Sequence, residues 1–268
     1  MKSEVRIRTV TALIVAPFVV ACFISYESLV GLVSAIVLLS SYELLSFSLR
    51  DFKKVDISVL TAFSTLFPLI YGLLLRNDPL LALSVVFIAG VVYILLRGFD
   101  PESASKMYFS FFASVLYVSV NLSFFMPIYD RMGGSVALLV LTSVWAYDIF
   151  AYFSGMKLGK RRIFERYTRK TLEGVLGGFL GTIIYTSIYK LISESIGFNV
   201  FSWKLVVPFS VIVAVMDTFG DVFESSLKRR FGVKDSGVIM PGHGGMLDRI
   251  DGLLFVVPVV YIVLGGIS

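Results

Sequence analysis

Long apolar runs, separated by short polar segments, make up most of the chain. A helix that spans a membrane needs about 20 mostly apolar residues, and nine segments come close to or exceed that length. Their approximate limits are 8–25, 28–47, 57–75, 79–96, 108–129, 134–155, 174–197, 203–226 and 250–267. The pattern predicts an all-α, polytopic membrane protein with about nine transmembrane helices. The first run follows basic residues, as in a signal peptide, but no clear cleavage site follows it, so we interpret it as a retained span.

Charged residues are few and lie mostly between these runs. Of the 268 residues, 57% are hydrophobic and 16% are charged, whereas a soluble domain has about 25% charged residues. With a cytoplasmic N-terminus, 20 of the 24 Lys and Arg residues lie on the cytoplasmic side and three lie outside. Because positive loop charge marks the cytoplasmic side, we predict a cytoplasmic N-terminus and an outside C-terminus. We therefore attribute the net charge of +5 to membrane topology, and we expect no nucleic-acid partner.

The two halves of the sequence differ in the chemistry they carry. Residues 1–130 contain about five spans, short loops and few ionisable side chains within the spans. We interpret this half as a transmembrane scaffold and predict that a homodimer would form through it. Residues 131–268 contain the two large polar loops, at 156–173 and 227–249, and form the predicted catalytic region. Both loops are expected on the cytoplasmic side.

Acidic residues inside predicted spans are the first functional candidates, because each costs on the order of 3 kcal/mol to insert into a membrane. Asp148 lies near the cytoplasmic end of its span, where reaching the membrane surface is the simpler explanation. Asp217, Asp221 and Glu224 follow an i, i+4, i+7 pattern on one helix face. Pairing with Lys228 and Arg229 is the structural alternative for that face. The functional interpretation is that these oxygens bind Mg²⁺, which prefers a few carboxylates together with phosphates and water.

The loop at 156–173 is strongly basic. Such a loop could fix topology or bind anionic lipid head groups. However, Arg169, Lys170 and Thr171 come immediately before a predicted helix start at Glu173. Backbone N–H groups at a helix N-terminus, together with nearby positive charge, suit phosphate.

The loop at 227–249 combines cations, acids and glycines. Its glycine-rich turn, Pro241-Gly-His-Gly-Gly245, allows backbone to approach a ligand closely. We expect His243, the single histidine of the chain, to contact or position a ligand there. Side chains that could neutralise phosphates or bind a metal in or next to this loop are Lys228, Arg229, Lys234, Asp235, Asp248 and Asp251.

Two blocks of residues carry a family resemblance. The longer block reads Ser226-Leu-Lys-Arg-x4-Lys234-Asp235-x-Gly237-x3-Pro241-Gly-His-Gly-Gly-x2-Asp248-Arg249-x-Asp251, and Gly220-Asp221 extends it upstream. The shorter block reads Trp145-x2-Asp148-x2-Ala151-Tyr152-x2-Gly155, then Gly159-Lys160, then Lys170-Thr171-x-Glu173-Gly174. Together they resemble the signature of phosphatidate cytidylyltransferases, also called CDP-diacylglycerol synthases. The first half of the chain matches that family only in hydropathy and span count.

Departures from the family pattern are confined to a few positions. The family usually has Ser-Pro ahead of its Lys-Lys-Thr run, where this chain has Tyr167 and Thr168. The family's Trp is Leu172 here. Asp217 stands where the family generally has a small or neutral residue, so we expect it to be a neighbour of the site rather than a ligand.

The resemblance implies an enzyme that transfers a cytidylyl group from CTP to phosphatidate, forms CDP-diacylglycerol and releases pyrophosphate during phospholipid biosynthesis. It implies Asp221 and Asp248 as the main Mg²⁺ ligands, with Asp148 and Asp251 in support. Mn²⁺ is compatible with the same ligands, and a second cation would suit the reaction. The residues expected to bind substrate are Lys170, Thr171, Glu173, Lys228, Arg229, Lys234, Gly242, His243, Gly244 and Gly245. Asp235 and Arg249 complete the expected catalytic set.

Two other functions are open at this point. One is another CTP-dependent membrane enzyme acting on lipid phosphates, either an isoprenoid-lipid cytidylyltransferase or a polyprenol kinase. The other is a transporter, which would place ionisable residues near the bilayer midplane and show repeat symmetry; the acids cluster at one side, and no repeat is evident. For the enzyme we expect the cytoplasmic (inner) membrane, an active site on the cytoplasmic side, and Asp148 and Asp221 facing one cavity open to lipid.

Overall fold

A computed structural model describes residues 15–198, 200–237 and 244–265. Helices account for most of these ranges, which contain no β-strand; an isolated bridge joins Arg162 and Thr171. The helices are α1 (15–21), α2 (Tyr26–Ser48), α3 (Lys54–Leu74), α4 (Pro79–Leu96), α5 (Pro101–Met132), α6 (Gly134–Leu158), α7 (Leu172–Ser195), α8 (Trp203–Arg230), α9 (Leu247–Ile250) and α10 (Leu253–Leu264). The last turns of α3 and the middle of α5 widen into π-helix, at Ile70–Leu74 and Ser114–Val120.

Seven helices, α2 to α8, are long and apolar enough to cross a membrane. They coincide with the seven interior predictions, so an all-helical, polytopic protein is confirmed. The predicted span at 8–25 lies largely outside the described residues, and the one at 250–267 contains α10, which has 12 residues. A total of nine spans therefore stays a prediction.

Local sequence signals explain where several helices begin. Asp78 and Asp100 each precede a proline, and their carboxylates accept backbone N–H groups of the first turn, Leu81 N at 3.2 Å and Ser103 N at 3.1 Å. Side-chain capping combined with proline at the first helical position is a strong helix start. The start of α5 was predicted at 108 and lies at Pro101, because this cap outweighs the polar character of its first turns.

Contacts within the chain define two compact units. The N-terminal unit comprises Met1–Met126 and Phe231–Arg249, and the C-terminal unit comprises Pro127–Arg230 and Ile250–Ser268. The first boundary falls near the predicted division at residue 130. The polar stretch after Arg230, which the sequence places with the catalytic half, packs with the N-terminal helices. The predicted split into scaffold and catalytic region is a functional statement and stays a prediction.

In the N-terminal unit, α2 to α5 form an apolar core, and a buried carboxylate pairs with a more exposed arginine beside it. Asp56 is fully buried and accepts hydrogen bonds from Arg97 Nε at 2.7 Å, Arg97 Nη2 at 3.2 Å and Tyr93 Oη at 2.7 Å. Three donors satisfy a carboxylate that would otherwise be expensive to bury. The Asp56 side chain therefore fixes the end of α4 against the start of α3.

In the C-terminal unit, α6 and α7 pack closely through small residues. A Cβ atom on Gly177, Gly178 or Gly181 of α7 would overlap side-chain atoms of α6, namely those of Ser154, Tyr147 or Phe150. Close helix contact through small residues is typical of packing in membranes. It holds Asp148, on α6, in a fixed position relative to the chain that leads into α7.

Candidate active site

A lysine surrounded by carboxylates forms the most highly charged cluster of the C-terminal unit. The Lys170 Nζ atom lies 2.8 Å from Asp217 Oδ2, 3.7 Å from Asp221 Oδ2 and 4.0 Å from Asp148 Oδ1. The Tyr147 ring centroid is 5.5 Å from the same nitrogen. Three separate segments, α6, the end of the 156–173 loop and α8, thus meet at one ammonium group.

The three acids differ in exposure. The side chain of Asp217 is 3% exposed, that of Asp221 is 25% exposed and that of Asp148 is 58% exposed. Asp217 and Asp221 are one helical turn apart on α8, so both point to the same side. Asp148 and Asp221 both lie within 4.0 Å of one nitrogen atom, so the two carboxylates are close together; their common function stays a prediction.

Electrostatics keep Lys170 charged. Burial alone would favour the neutral amine, but the carboxylates of Asp217, Asp148 and Asp221 outweigh it and raise the pKa of Lys170 above its ordinary value. One ammonium against three carboxylates leaves two formal negative charges. Within the described ranges no three acidic, Cys or His side chains form a ready-made metal group. The donors nevertheless fit Mg²⁺, which binds through one or two carboxylates plus phosphates, and the more exposed Asp148 and Asp221 are suited to that role.

The loop before α7 is held in place by its own polar groups. Thr168 donates its hydroxyl to Asp221 Oδ2 at 2.9 Å, and Arg229 Nη2 donates to the Tyr167 carbonyl at 2.6 Å. Thr171 caps α7 by accepting the Gly174 N–H at 3.2 Å. Glu173 Oε2 accepts the N–H groups of Lys160 and Arg161 at 2.9 and 3.1 Å. Glu173 and Thr171, both predicted to bind substrate, thus have structural bonds in this conformation.

Two glycines bring α8 against the segment that leads into α10. A Cβ on Gly220 would overlap the Asp251 carbonyl oxygen, and one on Gly252 would overlap Asp217 Oδ1. Burial and repulsion from Glu224, Asp217 and Asp221 raise the pKa of Asp251 well above its usual range. Asp251 is therefore a deep neighbour of the Lys170 cluster.

The other predicted cations and acids of this unit are also placed. Lys228 Nζ lies 2.7 Å from Glu224 Oε2 in the same helix. Glu224 therefore makes the structural pairing within α8 that was the alternative to metal binding. Asp217 and Asp221 do not, because they face Lys170 instead. Arg229 is exposed and anchors Tyr167 as described above.

A second polar cluster lies in the N-terminal unit, around the stretch that follows Arg230. Asp248 Oδ2 accepts from Ser236 N, Ser236 Oγ and Gly245 N, each at 2.9 Å. Glu43, on α2, accepts from Met246 N, Leu247 N and Ser236 Oγ, each also at 2.9 Å. Both carboxylates therefore hold the backbone of this stretch.

The remaining predicted residues of that stretch lie at its surface or outside the described part. Lys234, Asp235 and Arg249 are exposed. Gly244 has a φ of +85°, a conformation that glycine adopts without strain, which explains one glycine of the turn. Pro241, Gly242 and His243 lie outside the described residues, so their predicted roles remain predictions.

Three residues at these clusters were not in the predicted site set. Asp217 was expected to be a neighbour of the site rather than a ligand, and it is the carboxylate nearest to Lys170; its i, i+4 spacing from Asp221 was the available signal. Thr168 stands where the family has proline, and nothing in the sequence indicated its bond to Asp221. Glu43 lies in an apolar helix of the predicted scaffold, where an acid inside a span was the only signal.

Known proteins resemble this chain along nearly its whole length. The profile of the cytidylyltransferase family matches residues 6–266. A phosphatidate cytidylyltransferase of Thermotoga maritima is 53% identical over 264 residues, which cover 97% of this chain and 96% of that protein. Proteins of the same name from Bacillus subtilis and Helicobacter pylori are 34% and 40% identical over 164 and 140 residues, covering 58% and 52% of this chain and 57% and 51% of their own lengths.

Fold and site together define a helical integral membrane protein with a charged centre suited to phosphorylated substrates. The match over nearly the full sequence makes the assignment more specific: the chain belongs to the cytidylyltransferase family.

Proposed function

We propose that this protein is an integral membrane phosphatidate cytidylyltransferase of phospholipid biosynthesis. The observation that carries the proposal is the convergence of Asp148, Lys170 and Asp221 on one centre, because both sequence blocks contribute to it. In the reaction, a phosphate oxygen of phosphatidate attacks the α-phosphorus of CTP and forms a new P–O bond. The bond from the α-phosphorus to the bridging oxygen breaks, and pyrophosphate leaves with its electron pair. The products are CDP-diacylglycerol and pyrophosphate.

The protein's own contribution is positioning and charge. Two polyanionic substrates repel each other, and such transfers depend mainly on alignment and on stabilising charge around phosphorus. Lys170 is a fixed point charge at the centre, and Lys228, Arg229, Lys234 and Arg249 supply further cations. No general base is required, since the attacking phosphate is already ionised near neutral pH.

Mg²⁺ is the proposed cofactor, with Mn²⁺ as an alternative and a second cation as a further expectation. When bound, it would neutralise charge on the phosphates of CTP. Asp221 and Asp148 would hold it in the C-terminal unit, with Asp251 behind them. Asp248, in the N-terminal unit, is the other expected ligand, although its Oδ2 already faces three hydrogen-bond donors.

The lipid would enter from the side with its tails in the bilayer. A cavity of about 470 Å³ in the C-terminal unit is lined mainly by apolar side chains of α8 and by Tyr167. Val222 and Tyr167 in its wall are the chain neighbours of Asp221 and Thr168, which bond to each other. This wall suits an acyl chain whose phosphate lies at Lys170.

The wider membrane arrangement is part of the same proposal. The protein would have nine spans, a cytoplasmic N-terminus and an outside C-terminus in the cytoplasmic membrane, with its active site facing the cytoplasm. Residues 1–130 would serve as scaffold and 131–268 as catalytic region, and a homodimer would form through the N-terminal half. The asymmetry of Lys and Arg residues supports the orientation.

The direct test uses purified protein in detergent with labelled CTP, Mg²⁺ and phosphatidate. We expect labelled CDP-diacylglycerol from the wild type and a loss of at least about 100-fold for Asp221→Asn. Asp235→Asn removes the charge of an exposed acid and is a second test of the predicted catalytic set. Product from a polyprenyl phosphate instead of phosphatidate would favour the isoprenoid-lipid alternative, and no nucleotide transfer to any lipid phosphate would refute the assignment.

A further inference from the structure

Glu43 is a buried acid in a helix with no expected chemistry. It lies in α2 and is 3% exposed. Its Oε1 atom accepts the Met246 N–H, and its Oε2 atom accepts the Leu247 N–H and the Ser236 hydroxyl, all at 2.9 Å. These three donors all belong to the stretch that follows Arg230. A buried carboxylate that directs both oxygens at one loop fixes that loop.

Small residues of the loop fit closely around this carboxylate. A Cβ on Gly237 would overlap Glu43 Oε1, and a Cβ on Gly245 would overlap Ser236 Oγ and come within 2.5 Å of Glu43 Oε2. Both glycines belong to the longer sequence block. The close fit to Glu43 and Ser236 therefore accounts for the absence of a side chain at both positions.

Ser236 links Glu43 to Asp248. Its hydroxyl lies 2.9 Å from Glu43 Oε2 and 2.9 Å from Asp248 Oδ2. A hydroxyl has one hydrogen, so it donates to one of the two carboxylates at a time. The Asp248 N–H in turn donates to Ser236 Oγ at 3.3 Å. The position of Asp248 thus depends on a hydroxyl that Glu43 also binds.

We propose that Glu43 is a positioning residue for cytidylyl transfer: it holds the loop that carries Lys234, Asp235 and Asp248 in its working shape. The inference rests on the proposed function for its kinetic part. It assigns to the N-terminal half a direct part in the reaction, where the sequence indicated only a scaffold.

The test compares Glu43→Gln with Asp56→Asn, another buried acid of the same unit that contacts no part of the loop. Glutamine offers one acceptor, and its NH₂ group would face an N–H donor. We expect kcat/KM for CTP to fall about 10- to 100-fold in Glu43→Gln. Asp56→Asn should lower the melting temperature in detergent while leaving kcat/KM near wild type.

Double variants distinguish a positioning role of Glu43 from a general loss of stability. Glu43→Gln and Ser236→Ala should be strongly non-additive in kcat/KM for CTP, because they remove the same bond. Asp56→Asn and Ser236→Ala should be additive. Additivity in both pairs, or an unchanged kcat/KM in Glu43→Gln, would overturn the inference. If Glu43→Gln does not fold, a kcat/KM unchanged by Ser236→Ala overturns it, and a several-fold loss at wild-type melting temperature supports it.

Limited proteolysis gives a reading that does not need activity. Lys234 is exposed, so trypsin should cut after it faster in Glu43→Gln than in the wild type or Asp56→Asn, as mass spectrometry of the fragments would show. Equal cleavage rates in all three proteins would show that Glu43 does not hold the loop. An inactive wild type with accelerated cleavage in Glu43→Gln would instead refute the proposed function, while the holding of the loop by Glu43 would stand.

Discussion

The two units use acidic side chains in opposite ways. In the C-terminal unit, Asp148, Asp217 and Asp221 converge on a side-chain cation, and two of them keep part of their surface exposed. In the N-terminal unit, Glu43 and Asp248 accept hydrogen bonds from backbone N–H groups and a serine. A carboxylate facing a lysine ammonium group can exchange that partner for a ligand. A carboxylate bound to the backbone determines the shape of a loop.

The largest effect is expected from removing the cation of the first cluster. Lys170→Met would leave three carboxylates around an apolar side chain and remove a phosphate partner. We expect cytidylyl transfer to fall by about 10³-fold or more and the melting temperature to fall as well. Arg166→Met, an exposed cation of the same loop, should keep activity within about twofold, as expected for an exposed surface substitution. More than a tenth of wild-type activity in Lys170→Met would remove the basis for placing the site here.

Asp248 could either bind a ligand or only fix the shape of its loop, and two substitutions distinguish these roles. Asp248→Asn retains an oxygen that can accept the Ser236 and Gly245 N–H groups but loses the charge. Asp248→Ala loses both. We expect about 100-fold lower activity in the Asn variant with a nearly unchanged melting temperature, and a clear further loss of stability, about 1–3 kcal/mol, in the Ala variant.

The two Asp248 variants are informative in combination. Equal stability of Asn and Ala variants would contradict the anchoring role of Asp248 Oδ2. Wild-type activity in the Asn variant would show that Asp248 acts only as an anchor, which would restrict metal binding to the Lys170 cluster.

Features encoded in short stretches of sequence were the ones that could be predicted. Spans follow from local hydrophobicity, so seven of them were located, six within four residues at both ends and α5 with a start seven residues too late. The two sequence blocks, which both belong to the family signature, predicted that Asp148 lies near Asp221. The helical period separately predicted that Asp217 lies beside Asp221. Each of these signals is contained in a short stretch of sequence.

Long-range partners could not be predicted in this way. Glu43 and Ser236 are 193 residues apart, and no periodicity connects a single acid in an apolar helix with one loop out of several. Thr168 occupies a position where the family has proline, so the motif predicted no hydrogen bond there. The packing of the stretch after Arg230 with the N-terminal helices could not be predicted either, because proximity in sequence favoured the neighbouring helices.

Close packing beneath the first cluster gives a smaller effect. Gly220→Ala would push the new methyl group into the Asp251 carbonyl oxygen, and that backbone has little freedom to move. We expect a loss of about 1–3 kcal/mol in stability, measured as a lower melting temperature, with reduced activity because Asp221 is the next residue. Gly31→Ala is the matched control, since a Cβ there meets nothing within 4 Å and a helical alanine is favourable. A Gly220→Ala protein as stable as the Gly31→Ala protein would contradict the close contact.

The smallest expected effect concerns the hydroxyl that orients Asp221. Thr168→Val keeps the shape of the side chain but removes its hydrogen bond to Asp221 Oδ2, and the exposure of Asp221 allows water to replace part of it. A bond of this kind is worth about 1 kcal/mol, so activity should fall about three- to tenfold with little change in melting temperature. Thr168→Ser retains the hydroxyl and should stay close to wild type in steady-state assays. If the valine and serine variants have the same activity, the Thr168 hydroxyl does not orient Asp221. Of the two contacts seen at Asp221 Oδ2, only the one with Lys170 would then position the carboxylate.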